Sequence, residues 1–351
     1  MPLAMFNGMT GLEGMRIVKS VLLGFAATLA TLAAAQPAQA GSFHGVVAQG
    51  ALGPADFDRM GQAHAGLLRV RVAWDRVQPV NGGPLDTAWL DAIVSGAATE
   101  GVRVMLSLSG PGPTAGFSPP TSAAARNAYA NVARQLAERY GRGGSFGQAL
   151  PVTTYQIYNE QNGFYWGARP NPGQYGKLVK AAANRLRQAD QGAEIVLGGM
   201  FGTPSGRGAI RSWAYLDRLY GTRGIKRAFD TVAIHPYAPS RRGITYQIEK
   251  VRNVLKRNHD KRTQLRITEI GYGSAGGGHP LNKGLQGQAR ALRRAVRLLE
   301  QKRGKYKIRG FNWFSWQDNP GGSCAFCPSS GLLRADETLK PSFNAFSQVA
   351  R

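Results

Sequence analysis

Cysteine is nearly absent: the 351 residues hold two, Cys324 and Cys327, in a Gly-Gly-Ser-Cys-Ala-Phe-Cys-Pro loop. No second cysteine pair or nearby histidine accompanies them, which excludes a zinc-ribbon or zinc-finger site. Pro328 and the Ser-Ser-Gly after it read as loop, whereas a redox Cys-x-x-Cys normally opens a helix. The expectation is a short structural disulfide. Acid is also scarce, with 20 Asp and Glu against 44 Lys and Arg, a formal charge of +24. No HExxH or phosphate-loop pattern is present, so zinc-protease and P-loop chemistry find no support. Past residue 40 no stretch approaches the roughly 20 apolar residues of a membrane span, and that part is expected to be soluble. Linkers, low-complexity tracts and internal repeats are missing too, which leaves one domain over 41–351 as the economical reading.

The amino-terminal segment reads as a targeting signal. Arg16 and Lys19 make a basic start, Val21 to Ala35 is an apolar run, and Ala38-Gln39-Ala40 supplies a small-x-small cleavage site. Residues 1–40 are therefore expected to be a signal peptide cleaved after Ala40, which would make the protein secreted or periplasmic. Met15 opens a segment that alone has signal-peptide proportions; an uncleaved anchor is the competing reading. Removing 1–40 leaves 42 bases against 19 acids. So much positive charge suits anionic surroundings: an envelope polymer, a membrane surface, an acidic glycan or nucleic acid.

Beyond residue 40, short β-branched runs alternate with longer helical patterns. The runs fall at 44–49, 67–73, 102–108, 153–159, 194–199, 231–236, 265–270 and 308–315. Helical segments are predicted near 54–64, 85–100, 121–140, 173–190, 209–221, 242–259, 284–303 and 341–350. In the segment at 284–303, Leu285, Ala289, Leu292, Val296 and Leu299 make one apolar stripe. Strict strand–helix alternation implies right-handed βαβ units and a parallel sheet. Eight units in about 310 residues fit a closed (β/α)8 TIM barrel of the α/β class better than an open doubly wound sheet.

Function in such a barrel gathers at the carboxyl ends of the strands, and that rule screens the acids. Asp86, Asp91, Glu138 and Glu300 fall on helices, while Glu194 and Asp230 fall at strand starts. Asp75, Glu160, Glu269 and Asp318 remain. Glu160 closes the fourth strand among amides and aromatics (Tyr155-Gln-Ile-Tyr-Asn-Glu-Gln-Asn162). Glu269 shares parity with Leu265 and Ile267 on the seventh, which aims it into the mouth. Two facing carboxyls suit cleavage of a glycosidic bond, one protonating the departing oxygen while the other attacks the anomeric carbon or activates water.

Five short stretches together resemble the clan A glycoside hydrolases, with families 39 and 5 the nearest. They are Asn159-Glu160, Glu269, His235-Pro-Tyr237, Arg69 in RVRVAWDRVQP, and Trp313 with Trp316 on strand eight. The resemblance implies Glu160 as general acid/base, with Asn159 binding the sugar 2-hydroxyl. It implies Glu269 as nucleophile, held ionised and oriented by Arg69 and Tyr237. His235 would line the subsite, and Trp313 or Trp316 would form a stacking platform; opposite parity lets only one face the mouth. Clan members retain anomeric configuration, and no cofactor or metal is called for. Arg71 departs from the pattern, standing where relatives often carry an acid, and this bears on substrate preference. The substrate implied is a poly- or oligosaccharide, neutral or anionic.

Two motif matches are expected to be silent. Gly143-Gly-Ser-Phe-Gly147 fits GxSxG but lies in a helix-to-strand connection on the far face. Gly271-Tyr-Gly-Ser-Ala-Gly276 fits GxGxxG but does not run straight into a helix, and Glu269 would repel phosphate. Trp74, Tyr158, Phe164, Tyr165 and Trp166, at or just past strand ends, divide between carbohydrate contacts and loop packing. Arg290, Arg293, Arg294 and Arg297 share a helical face, and Lys250, Arg252, Lys256, Arg257, Lys261 and Arg262 decorate the helix before it. These are read either as a solvated outer face or as adhesion to an anionic cell-envelope polymer. Without a nucleic-acid-binding module, no nucleic-acid partner is expected. A non-catalytic carbohydrate-binding or adhesion protein and a transglycosidase remain as alternatives.

Overall fold

Eight strands form where the β-branched runs predict them: β1 (His44–Val47), β2 (Leu67–Ala73), β3 (Arg103–Ser109), β4 (Thr154–Asn159), β5 (Glu194–Phe201), β6 (Thr231–His235), β7 (Gln264–Ile270) and β8 (Ile308–Trp313). All eight pair in parallel, in sequence order, and β8 closes onto β1. The protein is therefore a (β/α)8 barrel. This computed structural model describes residues 43–351 except 114, 115, 117 and 168. The expected signal segment and its cleavage point lie outside the described residues.

Around the barrel run α1 (Pro54–Gln62), the single turn α2 (Trp74–Val77), α3 (Ala88–Thr99), α4 (Ala123–Tyr140), α5 (Pro172–Ala189), α6 (Ser212–Leu219), α7 (Arg241–Arg257), α8 (Leu285–Tyr306) and α9 (Pro341–Ala350). Local chemistry sets several of their starts. Side chains of Ser122, Asn171 and Ser240 accept backbone N–H groups in the first turns of α4, α5 and α7. On α8 the stripe of Ala289, Leu292, Val296 and Leu299 is buried, but Leu285, the first helical residue, is exposed. None of the described helices is long and apolar enough to cross a membrane.

Two apolar regions result. Leu67, Met105, Val196 and Ala233 fill the lower barrel interior, separate from the large cluster between sheet and helices. Above that floor the inward positions turn polar, with Arg69, Ser107, Gln156, His235 and Thr268 all buried. This polar layer is the base of the site. Glu194, at the start of β5, meets Arg266, Arg309 and Thr231 instead, at 3.6, 3.3 and 2.7 Å.

The outer charge is distributed nearly as expected. Arg290, Arg294 and Arg297 are exposed and Arg293 half-buried. Arg252 is not a surface residue: it is buried, and its guanidinium donates to the carbonyls of Thr263 and Lys261 at 2.6 and 2.9 Å, bracing the turn into β7. Cys324 and Cys327 form a disulfide.

Candidate active site

Both glutamates reach the barrel mouth through breaks in strand alternation. On β4, Tyr155 and Ile157 pack outward in the helix-facing cluster, whereas Gln156 points inward to Arg69. Tyr158 should then point inward. Instead it adopts φ +70, packs outward against Trp166, and donates its N–H to the Tyr129 hydroxyl at 3.2 Å. Beyond this left-handed residue Asn159 turns inward, and Glu160 follows at φ +46, its N–H donating to Gly199 O at 3.1 Å. Two non-glycine departures into the left-handed region flank Asn159, a cost that functional sites tolerate.

On β7 the expected parity is overturned. Leu265 and Ile267 face the helices, while Thr268 lies inside, against His235 and Gln156. The ladder to β8 shifts between Ile267 and Ile270, and this irregularity swings Glu269 inward. A bulge re-aims Glu269, whereas left-handed backbone on β4 places Asn159 and Glu160.

Arg69 organises what lies between them. Its Nε donates to Gln156 Oε1 at 2.6 Å, Nη1 to Glu269 Oε1 at 2.7 Å, and Nη2 to Asn159 Oδ1 at 2.7 Å and Ser107 Oγ at 3.3 Å. The Tyr237 hydroxyl donates to the other Glu269 oxygen at 2.9 Å. Glu269 is thus an ion-paired, doubly hydrogen-bonded carboxylate. Burial pushes the Tyr237 hydroxyl well above its ordinary range, helped by both glutamates, so it remains a donor.

Glu160 lies in a different setting. Although 15 % of its side chain faces the cleft, its one side-chain partner among the described residues is His235, whose Nδ1 lies 2.7 Å from Oε1. Burial pushes the carboxyl up to about 8, against the pull of Arg69. Burial takes His235 down to about 4, and its Nε2 lies 3.0 Å from Thr268 Oγ1. At neutral pH the arrangement is a protonated carboxyl beside a neutral imidazole, facing the Glu269 carboxylate that Arg69 and Tyr237 hold. Oxygens of Glu160 and Glu269 and a nitrogen of His235 lie within 4.8 Å of one another. Above them opens a cleft of about 1060 Å³, whose lining includes Tyr165, Phe314, Phe326 and Arg71.

The family model for cellulase (glycosyl hydrolase family 5) matches residues 38–320. The chain belongs to this family. Among solved structures it is similar to a family 39 glycoside hydrolase from Bacteroides cellulosilyticus WH2 (TM-score 0.70, 20% identity), covering 89% of this chain and 64% of that one. An endo-β-1,4-glucanase from Xanthomonas axonopodis pv. citri aligns with TM-score 0.62 and 17% identity over 88% of this chain and 99% of its own. An exo-β-1,4-mannosidase from Opitutaceae bacterium strain TAV5 aligns with TM-score 0.64 and 15% identity over 89% and 59%. No curated protein matches the sequence. The chain thus spans just under two thirds of the family 39 enzyme, and at these identities the neighbours speak for the fold.

In this family 5 chain the barrel brings together Arg69, Asn159, Glu160, His235, Tyr237 and Glu269. It does not bring the tryptophans. Trp313 and Trp316 are wholly buried and absent from the cleft lining. Trp313 donates to Ser330 O at 3.2 Å and Trp316 to Asp56 Oδ1 at 2.9 Å. The expected stacking platform is therefore corrected: β8 ends at Trp313, and Phe314 is the β8-end aromatic that meets the cleft. Trp74, Tyr158 and Trp166 are also core, while Phe164 and Tyr165 are exposed.

The reserve acids are spoken for. Asp318 accepts from Lys340 Nζ at 2.5 Å and Gly331 N at 2.8 Å, joining the loop after β8 to the start of α9. Asp75 accepts from the backbone of Arg76, at 3.0 Å, and does not line the cleft. One contributor escaped the sequence reading. A methyl group on Gly199 would lie 2.0 Å from His235 Nε2 and 2.6 Å from Thr268 Oγ1, so only glycine admits the imidazole. The signal was the Gly-Gly pair inside β5.

Glu160, His235 and Glu269 are also spaced like metal ligands. The donor set does not fit a cation. Both Glu269 oxygens already accept from Arg69 and Tyr237, and a bound ion would sit close to the Arg69 guanidinium.

Proposed function

We propose that this family 5 member is a retaining glycoside hydrolase that cleaves O-glycosidic bonds of a poly- or oligosaccharide, with Glu160 as acid/base and Glu269 as nucleophile. The observation that carries the reading is the pair itself: two carboxyls with oxygens within 4.8 Å in unlike settings, Glu160 buried and raised, Glu269 paired with Arg69 and Tyr237. Retaining enzymes set these groups about 5–5.5 Å apart, whereas inverting ones need about 6.5–9.5 Å to admit a water.

The steps follow from the contacts. The Glu160 carboxyl gives its proton to the glycosidic oxygen as the Glu269 carboxylate attacks the anomeric carbon, and the carbon–oxygen bond to the leaving group breaks. Glu160, now ionised, takes a proton from water. That water attacks the anomeric carbon and displaces Glu269, restoring both starting states. Arg69 and Tyr237 hold Glu269 in place and stabilise its charge when it departs. Asn159, fixed by Arg69, presents its amide nitrogen to a hydroxyl beside the reacting carbon. The aromatic surfaces of Tyr165, Phe314 and Phe326 suit the apolar faces of sugar rings.

Azide decides the nucleophile. In Glu269→Gly it should restore turnover of an aryl glycoside and give a glycosyl azide of inverted configuration. Full activity in Glu160→Gln or Glu269→Gln would sink the assignment.

We also propose export, supported by the basic start, apolar run and Ala-Gln-Ala site of residues 1–40. Retention of the chain inside the cell, with residues 1–40 still attached, would contradict it. Contact of the exposed Arg290, Arg294 and Arg297 face with an anionic envelope polymer is part of the same proposal. It requires retention that salt abolishes.

A further inference from the structure

We propose that Arg71, with Arg76 on the same cleft lining, recognises an anionic substituent of the bound glycan, a uronate carboxylate or a sulfate ester. The inference rests on the hydrolase reading and adds the substrate class.

Arg69 and Arg71 stand two residues apart on β2, so both face inward, with Arg71 about 6–7 Å nearer the mouth. Their circumstances differ sharply. Arg69 is buried and every one of its nitrogens has a partner. Arg71 is exposed, has one hydrogen bond, Nε to Ser109 Oγ at 3.3 Å, and forms no ion pair among the described residues. Its terminal nitrogens are free to form the two-pronged contact that suits a carboxylate or sulfate. The Arg76 guanidinium carbon lies over Trp89, 4.1 Å from the ring centroid, and its side-chain nitrogens have no hydrogen-bond partner among the described residues.

The charge balance of the cleft points the same way. Glu160 and Glu269 are the only acids among its described lining residues. At neutral pH Glu160 holds a proton and Glu269 is offset by Arg69. Arg71 and Arg76 are left uncompensated. Glycosidic cleavage develops positive charge at the sugar ring. An unpaired guanidinium in that neighbourhood opposes the reaction on a neutral glycan, whereas a substituent carrying negative charge neutralises it.

Binding is measured in the Glu160→Gln background, which blocks turnover and keeps the neutral state of that position. The probes are a glucuronate-containing oligosaccharide, its carboxyl-reduced counterpart and a sulfated oligosaccharide, titrated with and without Arg71→Gln. The acidic probe should bind roughly ten- to a hundredfold more tightly than the reduced one, and Arg71→Gln should bring the two within about threefold. The sulfated arm identifies which anion is read. No preference, or a preference that survives Arg71→Gln, overturns the proposal. Hydrolysis by the wild type without that preference removes Arg71 alone. The preference without hydrolysis of any probe keeps Arg71 and removes the hydrolase reading.

Discussion

Replacing Glu160 by glutamine tests whether Glu160 and His235 share one proton across neutrality. Burial raises the Glu160 carboxyl from 4.5 to about 8, and burial lowers His235 from 6.5 to about 4. In the unfolded chain the two groups carry two protons below about 4.5, one from there to about 6.5, and none above. Folded, they carry one from about 4 to about 8. The folded state therefore holds an extra proton between 6.5 and 8, and stability falls as pH rises through that window. At about 1.36 kcal/mol per pH unit the loss is about 2 kcal/mol, complete above pH 8. Between 4.5 and 6.5 the counts agree and the pair contributes no slope. The amide in Glu160→Gln cannot titrate, so the alkaline slope of that variant should vanish. Urea denaturation at pH 6.5 and pH 8.5 measures the difference: the wild type should lose about 2 kcal/mol more than the variant. The same proton sets the rate, since kcat/KM should fall as pH passes about 8 and Glu160 ionises. Equal losses of stability in the two proteins, or no alkaline loss in the wild type, refute the shared proton.

Tyr237→Phe removes the 2.9 Å hydrogen bond to Glu269 and leaves the ring against Phe201. A hydrogen bond to a charged group contributes roughly 1.5–3 kcal/mol, so kcat/KM should fall about ten- to a hundredfold with the fold intact by circular dichroism. Phe314→Leu and Trp316→Phe separate cleft from core. The first should raise KM for oligosaccharides several-fold. The second leaves Asp56 without its indole partner and should lower stability by about 1–3 kcal/mol while KM stays unchanged. Steady-state kinetics beside thermal denaturation reads both, and a shift of KM in Trp316→Phe would return that residue to the cleft.

The barrel was legible because its signals are local. β-branched runs and helical stripes repeat eight times, and most boundaries they set agree with the observed elements to within a few residues. Glu160 and Glu269 were legible because strand ends are where a barrel places its site, whereas Arg69, early in β2, was signalled only by the family resemblance. Side-chain direction beyond the strand ends was not. Alternation assigned Glu269 to the face of Leu265 and Ile267, which point the other way, and extended β8 to Trp316, past the point where the chain leaves the ladder. Arg252 looked like a surface charge because its partners are backbone carbonyls, which sequence patterns do not reveal.

These failures of alternation have a physical meaning. A regular β4 would have turned Tyr158 into the mouth, and a regular β7 would have turned Glu269 toward the helices. The left-handed backbone at Tyr158 and Glu160 and the slipped β7–β8 register prevent this, and they bring Asn159, Glu160 and Glu269 around one guanidinium. Each distortion sacrifices regular pairing, so each must be held by its surroundings. Tyr158 is held by Tyr129 and Trp166, and Glu269 by Arg69 and Tyr237. The groups that hold Glu269 are the same ones that would stabilise its charge during turnover. Rigidity and chemistry therefore rest on shared contacts at Glu269 but on separate ones at β4. Loosening the Tyr129–Tyr158 contact should accordingly misplace the acid without altering the nucleophile, whereas a change at Arg69 acts on Glu269 and Asn159 together.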